Sequence, residues 1–298
     1  TLKFLWAPVM DRIVPPWLGH RRGWMIVTQT GLALALTFMA FIGPGSGAQI
    51  FAALALGVAF LSASQDIVFD AYRTDLLKPD ERGLGAATWV MGYRIAMMAS
   101  GSLALIVAAR LGWSSAYLCM AGLMALGIVT ILMIPEPEAA RAAPQSMAEA
   151  VWGPLSEFLS RPMALALLGL IVLYKLGDAF AGALTTSFLL RGMEFSSEDI
   201  GLVRAFGIGA TILGAFIGGG LMPQLGLFRS LMVFGLLQAL SNLSFLWLAW
   251  AGKSYAVMAF AVGFENLTGG MGTAAFVALV MSLCNHRYTA TQFALLSS

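Results

Sequence analysis

Arg94, Lys175, Asp178 and Glu265 each stand near the middle of a long apolar run. A charge at membrane depth costs roughly 3 kcal/mol to insert, so each marks a pathway, a partner or a gate. Asp178 follows Lys175 by three positions, on nearly the same face of a helix. That pair reads in two ways: a self-neutralising couple that keeps the helix in register, or a lysine that holds an anion beside a carboxyl that senses a proton. Desolvation raises a carboxyl pKa and a neighbouring cation lowers it, so such a pair changes protonation as its surroundings open and close. Glu265, with Asn266 beside it, has no cation on its own turn, and Arg94 or Arg204 would serve as its partner. Arg204 lies toward the outer end of its run, within reach of the interface. Asp66 and Asp70 are four apart on a further helix, Asp66 the deeper of the two.

Two chemistries fit paired acids inside a membrane. Asp66 and Asp70 would serve an intramembrane enzyme, which needs a metal or a nucleophile facing them. The sequence offers no His/Asp/Glu cluster of that kind, and Cys119 and Cys284 fall in or beside apolar runs as inert packing residues. Charges spread over four or more runs instead favour binding and proton movement along a path.

The elements that must position these residues follow from composition. Of 298 residues 59% are hydrophobic and only 11% charged, too few charges to cover a water-facing surface. The net charge of +2 is too small to imply nucleic-acid binding. A span needs about 20 mainly apolar residues, and eight segments qualify: 24–42, 49–72, 84–109, 114–134, 163–190, 200–222, 228–250 and 255–284. Connectors this short join helices, not barrel strands. One set of connectors carries Arg12, Arg21, Arg22, Arg73, Lys78, Arg82, Arg141, Arg161, Arg229 and Arg287; the other carries Arg110, Arg191 and Lys253. The positive-inside rule places the first set in the cytoplasm.

The polar stretch 135–162 divides the chain into an N-terminal bundle at 1–134 and a C-terminal bundle at 163–298. A weak amphipathic run at Met147, Val151, Leu155, Phe158 and Leu159 suggests a short interfacial helix within that linker. Laying Arg22 over Arg229 pairs Met25 with Met232 and Phe69 with Phe276, with loops and span ends in matching order. Repeats running in one direction about an axis along the membrane normal place a path between bundles. The chain opens and closes inside apolar stretches, so it reads as a fragment that lacks a span at each end.

Several strings carry a resemblance. Trp6-Ala7-Pro8-Val9-Met10-Asp11-Arg12, continuing through Pro15-Pro16 to Arg21-Arg22-Gly23-Trp24, resembles the cytoplasmic signature loop of major facilitator transporters, in the form found in AmpG-type muropeptide permeases. Ala63-Ser64-Gln65-Asp66-Ile67-Val68-Phe69-Asp70-Ala71 is similar to that family's fourth helix, and Lys175-Leu176-Gly177-Asp178-Ala179-Phe180 to its seventh. Glu265-Asn266-Leu267 with Gly269-Gly270-Met271-Gly272 resembles its tenth, and Ala290-Thr291-Gln292-Phe293 the start of its eleventh. Pro223-Gln224, where the second copy of the signature loop usually carries charge, is a departure.

The resemblance implies an all-α membrane protein with two six-helix bundles related by a pseudo-two-fold axis, of which about eight complete spans and two partial ones are present. It implies a monomer in the bacterial inner membrane that imports anhydro-muropeptides with protons, for peptidoglycan recycling, and has an indirect part in β-lactamase induction. No cofactor or metal is implied. Arg94 and Lys175 would bind the substrate's carboxylates and Gln65 its sugar, with Asp66, Asp178 and Glu265 as candidates for the coupling proton. Asp11, Arg12, Arg21, Arg22, Asp70 and Arg73 would form a salt-bridge latch at the cytoplasmic rim that stabilises the outward-facing state. A facilitator for another anionic metabolite, such as acetyl-CoA, fits the same residue types.

Overall fold

The computed structural model describes residues 2–42, 47–138 and 143–298, with the side chains of Ala48, Asp178 and Ala181 outside that description. Arg141, one of the connector cations, also lies outside the described residues. All regular structure among the described residues is helical, and eight helices there are long and apolar enough to cross a membrane. They are His20–Ile42, Gln49–Leu76, Arg82–Leu111, Trp113–Met133, Ala164–Gly192, Ser197–Leu225, Leu227–Ala251 and Tyr255–Leu283. The multi-pass, all-helical architecture expected from the sequence is therefore the one the chain adopts. Several helices outrun the apolar runs that signalled them. Backbone hydrogen bonding continues through interfacial charges such as Arg21 and Asp75, whereas hydropathy stops at the edge of the hydrocarbon.

In chain order the helices are α1 (Ala7–Arg12), α2 (His20–Ile42), α3 (Ala48–Leu76), α4 (Arg82–Met98), α5 (Ala104–Leu111), α6 (Trp113–Met133), α7 (Met147–Leu159), α8 (Ala164–Ser187), α9 (Ser197–Leu225), α10 (Leu227–Ala251), α11 (Tyr255–Leu283) and α12 (Thr289–Ser297). A π-turn at Ala99–Leu103 joins α4 to α5, and another at Phe188–Gly192 ends α8. Ser196 starts α9 with a capping box: its hydroxyl accepts from the Asp199 amide while the Asp199 carboxylate accepts from the Ser196 amide. Ser146 caps α7 in the same sense, accepting from the Glu149 amide.

The helices pack as two compact units, one of Thr1–Leu76, Ile95–Arg161 and Cys284–Ser298, the other of Leu77–Arg94 and Pro162–Leu283. In the first, α2 packs against α3 and α6, while α1, α7 and α12 pack on one another. Its core joins Met10, Met25, Ile67, Val68, Ile131 and Ala294. Gln29, buried on α2, reaches the Met124 carbonyl of α6 at 3.0 Å and accepts a hydrogen bond from Gln65 of α3. Burying an amide in apolar surroundings is costly unless it is bonded, so this polar knot fixes how three helices meet.

In the second unit α9 and α11 run in close contact, with α10 against both. A β-carbon on Gly214 of α9 would fall 1.9 Å from the Leu267 carbonyl oxygen, and one on Gly270 of α11 would fall 2.1 Å from that of Thr211. Only hydrogen fits at these two crossings, which is why the small residues spaced along the sequence at Gly214 and Gly218 let two membrane helices approach.

Candidate functional site

A cavity of about 220 Å³ opens in the second unit, lined by Leu173, Tyr174 and Gly177 of α8, Gly235, Gln238 and Asn242 of α10, and Glu265 of α11. Each helix presents these residues midway along its span. Gly177 and Gly235 leave the space that side chains would fill. Tyr174 lies parallel to Phe276 at 5.7 Å between centroids and donates its hydroxyl to the Gly272 carbonyl at 3.4 Å. The Lys175 ammonium stands 4.9 Å from the centre of the same Phe276 ring, a cation–π distance that holds the charge at depth. Glu265 accepts from the Asn266 amide at 3.0 Å. Asn266 in turn donates to the Val262 carbonyl and accepts from Thr211 of α9 at 3.0 Å, so it ties α11 to α9 and aims the carboxylate.

This arrangement brings one carboxylate, two amides, a phenol and aromatic faces to one place, with Lys175 on the adjoining ring. It can hold hydroxyls and amides by hydrogen bonds and can carry a proton on Glu265. Among the described residues no group of three or more His, Cys, Asp or Glu could hold a metal ion.

The other expected site residues are dispersed. Arg204 of α9 donates to Thr186 of α8, so its described partner is a hydroxyl and not Glu265. Arg94 is half-buried on α4. Asp178 belongs to α8 by its backbone, but its side chain lies outside the described residues, and its pairing with Lys175 with it. In the first unit, Asp66 is exposed on α3, beside Gln65, whose Oε1 is buried with no hydrogen-bond donor among the described residues. Gln238, Asn242 and Tyr174 escaped the sequence reading. The signal was present: two amides four apart in an apolar run put hydrogen-bonding groups on one helix face. A search weighted toward charge passes over them.

The rim residues of the first unit form a denser network. Asp11, at the end of α1, is fully buried and accepts from the Ala290 amide (3.2 Å), the Thr291 amide (2.8 Å), the Thr291 hydroxyl (2.8 Å) and Arg21 (3.1 Å). The two amides are unsatisfied donors at the start of α12, where a carboxylate is favoured by geometry and by the helix dipole together. Arg21 also reaches Asp75 of α3 at 2.9 Å, and Asp75 accepts from Thr289 at 2.7 Å and meets the His286 ring at 3.1 Å. Asp70 pairs with Arg73 at 2.7 Å and Lys3 at 3.3 Å. Arg12 and Arg22 bond carbonyls: Arg12 that of Pro144, Arg22 those of Ile131 and Leu132. The Glu136 carboxylate caps α2 by accepting from the amides of Arg21 (2.7 Å) and Arg22 (3.0 Å). Gly19, at φ +87°, lets it approach, because a β-carbon there would fall 2.6 Å from the Glu136 carboxyl carbon.

Of the six expected latch residues, the structure joins Asp11 to Arg21 and Asp70 to Arg73, and it adds Lys3, Asp75, Glu136, His286, Thr289 and Thr291. Asp75 was missed because it lies past the apolar run, where a helix was not looked for. Desolvation, with Asp75 and Asp11 nearby, pushes the Cys284 thiol far above its usual range and keeps it protonated.

The profile of the Major Facilitator Superfamily matches residues 1–298. The chain is 52% identical to the anhydromuropeptide permease of Escherichia coli K12 over its whole length, and it spans 61% of that protein. A Haemophilus influenzae protein described as uncharacterized is 39% identical, with all of this chain and 73% of that one aligned. In structure the chain is similar to the human organic anion transporter MFSD10, with a TM-score of 0.73 at 19% identity, covering 99% of this chain and 71% of the other. Transporters, not enzymes, are what the whole length matches, and the paired-carboxylate enzyme reading of Asp66 and Asp70 falls with that result.

Proposed function

The chain belongs to the major facilitator superfamily, and from that premise we propose that it imports anhydromuropeptides across the bacterial inner membrane, coupled to protons, by alternating access. The observation that supports this most directly is the cavity of Tyr174, Gln238, Asn242 and Glu265 at membrane depth. Its amides and phenol suit the hydroxyl and acetamido groups of an amino sugar, and its aromatic faces suit the ring. Identity of 52% with a permease named for that substrate points the same way.

In this reading Lys175 and Arg94 attract the substrate's carboxylates, and Gln65 offers its buried Oε1 to a sugar hydroxyl. Glu265, Asp66 and Asp178 are the groups from which the coupling proton is drawn, and Arg204 steadies the outer end of α9. Residues 1–134 and 163–298 act as the two moving bundles, with 135–162 as the linker, in a protein that works as a monomer. The network around Asp11, Arg12, Arg21, Arg22, Asp70 and Arg73 latches the cytoplasmic side in the outward-facing state and releases it when the path opens inward.

The test is uptake of labelled anhydro-muropeptide by cells that lack their own permease and express the full-length protein. Uptake is expected, and Lys175→Ala is expected to abolish it at unchanged protein level. Normal uptake by that variant removes Lys175 from the site. Absence of uptake by a well-expressed parent protein, together with uptake of another anionic metabolite such as acetyl-CoA, reassigns the substrate.

A further inference from the structure

Helix α4 is packed along one face and open along two flanks. Gly83, Ala86, Ala87 and Val90 recur at three- and four-residue spacing and are buried. Gly83 meets α9 so closely that a β-carbon on it would fall 2.7 Å from the Gly219 carbonyl oxygen. The two flanks differ in chemistry. Leu84, Thr88 and Ile95 make one of them, and the Thr88 hydroxyl is returned to the Leu84 carbonyl at 3.0 Å. That flank suits acyl chains. The other carries Trp89, Gly92 and Tyr93. Trp89 and Tyr93 stand one turn apart with their rings stacked, 5.6 Å between centroids and 21° between planes, and they are 39% and 54% exposed. A β-carbon on Gly92 would meet nothing within 4 Å, so the stack borders open space.

Depth decides what fills that space. At 1.5 Å per residue, Tyr93 lies about 16 Å and Arg94 about 18 Å beyond Arg82, which opens this span of 30 residues. Both therefore stand near the middle of a hydrocarbon core about 30 Å thick. Among the described residues neither the Tyr93 hydroxyl nor the Arg94 guanidinium has a hydrogen-bond or ion-pair partner. A bare phenol and a bare guanidinium are too costly to leave among acyl chains. Tryptophan and tyrosine that face lipid also gather at the headgroups and not at the centre. The flank consequently faces water or a polar ligand. A broad aromatic plate with a hydroxyl at its edge and a cation on the next residue matches one class of ligand. The apolar C–H face of a pyranose lies on such rings, while an acidic substituent takes parallel hydrogen bonds from the guanidinium.

We propose that the Trp89–Tyr93 stack is a binding platform for the ring of an acidic amino sugar, a subsite that shares no residue with the cavity around Glu265. The assignment rests on the reading of this chain as a carrier of anhydromuropeptides. It divides recognition in two: the amides of the cavity read polar substituents, and the platform holds a ring by its apolar face.

The experiment uses the full-length protein in vesicles of phosphatidylethanolamine and phosphatidylglycerol, supplied with labelled anhydro-muropeptide. Trp89→Ala and Tyr93→Ala are each expected to raise KM for uptake about tenfold, the scale of one aromatic contact, with Trp89→Phe close to the parent. Parental KM in both alanine variants overturns the platform and leaves the parent's uptake, and so the proposed function, standing. A second measurement needs no transport and judges the platform even if the parent takes up no muropeptide. The emission lost in Trp89→Phe is expected to be quenched by acrylamide, spared by brominated lipid, and shielded from acrylamide by N-acetylmuramic acid. Quenching by brominated lipid turns the stack toward acyl chains and overturns the proposal whatever uptake reports. Failure of the acidic sugar to shield it does the same.

Discussion

Replacing Asp11 by asparagine tests the rim network at its centre. The carboxylate accepts four hydrogen bonds, from Arg21, the Ala290 and Thr291 amides and the Thr291 hydroxyl, and it is 1% exposed. Asparagine keeps one oxygen and turns an NH₂ group toward donors, so at least two charge-assisted bonds are lost, each worth about 1.5–3 kcal/mol. Arg21 keeps Asp75 and is not stranded, which holds the loss near the 3–5 kcal/mol typical of a broken buried pair. The loss falls on α12, because its first turn donates three of those four bonds and the helix is only nine residues long. Local opening of α12 should become about 100-fold or more easier, at 1.4 kcal/mol per tenfold. Hydrogen exchange read by mass spectrometry on the chain in nanodiscs measures this directly. Faster exchange is expected in Thr289–Ser297 and in α1, with α9 and α11 unchanged. Thr291→Val supplies a partial version, and the double variant should fall short of the sum. Exchange in α12 that matches the parent would refute the claim that Asp11 anchors it.

Gly214→Ala should destabilise by at least the 1–3 kcal/mol usual for overpacking, since its β-carbon meets backbone and cannot be sidestepped; thermal melting should show a lower midpoint, whereas Gly220→Ala, with open space around it, should melt like the parent. Gln238→Ala and Asn242→Ala should raise KM for uptake with expression unchanged, and an unaltered KM in both would separate the cavity from the substrate. Glu265→Gln and Asp66→Asn divide the proton roles: the variant that loses accumulation against a gradient but keeps exchange marks the carrier, and if both still concentrate substrate neither carries the proton. Burial works to raise the Glu157 carboxyl, but hydrogen bonds from Arg161 and Gln292 outweigh it and hold it below its ordinary range. The depressed value means that its contribution to docking α7 on α12 is complete above the ordinary carboxylate range and is lost as pH falls through the folded value. Mobility of a label on α7 should therefore be flat between pH 6 and 8, rise below about pH 4, and lose that rise in Glu157→Gln.

Composition and periodicity determined a great deal here. Eight apolar runs, too long for barrel strands, must become helices because a backbone in lipid has to satisfy its own hydrogen bonds. The cost of burying charge then singled out Lys175 and Glu265, and the structure places both beside one aromatic and amide-lined pocket. Gly214 and Gly218, four apart in an apolar run, have the spacing of a close helix crossing, but that spacing does not name the partner. What the sequence left open is which distant residues meet. Asp11 and Thr291 stand 280 positions apart, and no periodicity relates them; they meet because a helix begins with unsatisfied amides and a buried carboxylate needs donors. Gln238 and Asn242 became site residues only when α8 and α11 closed a cavity around them. Arg204 turned to Thr186 for the same kind of reason. An ionisable side chain declares its cost in the sequence, but its partner is chosen by which helices pack, and that choice belongs to the tertiary structure.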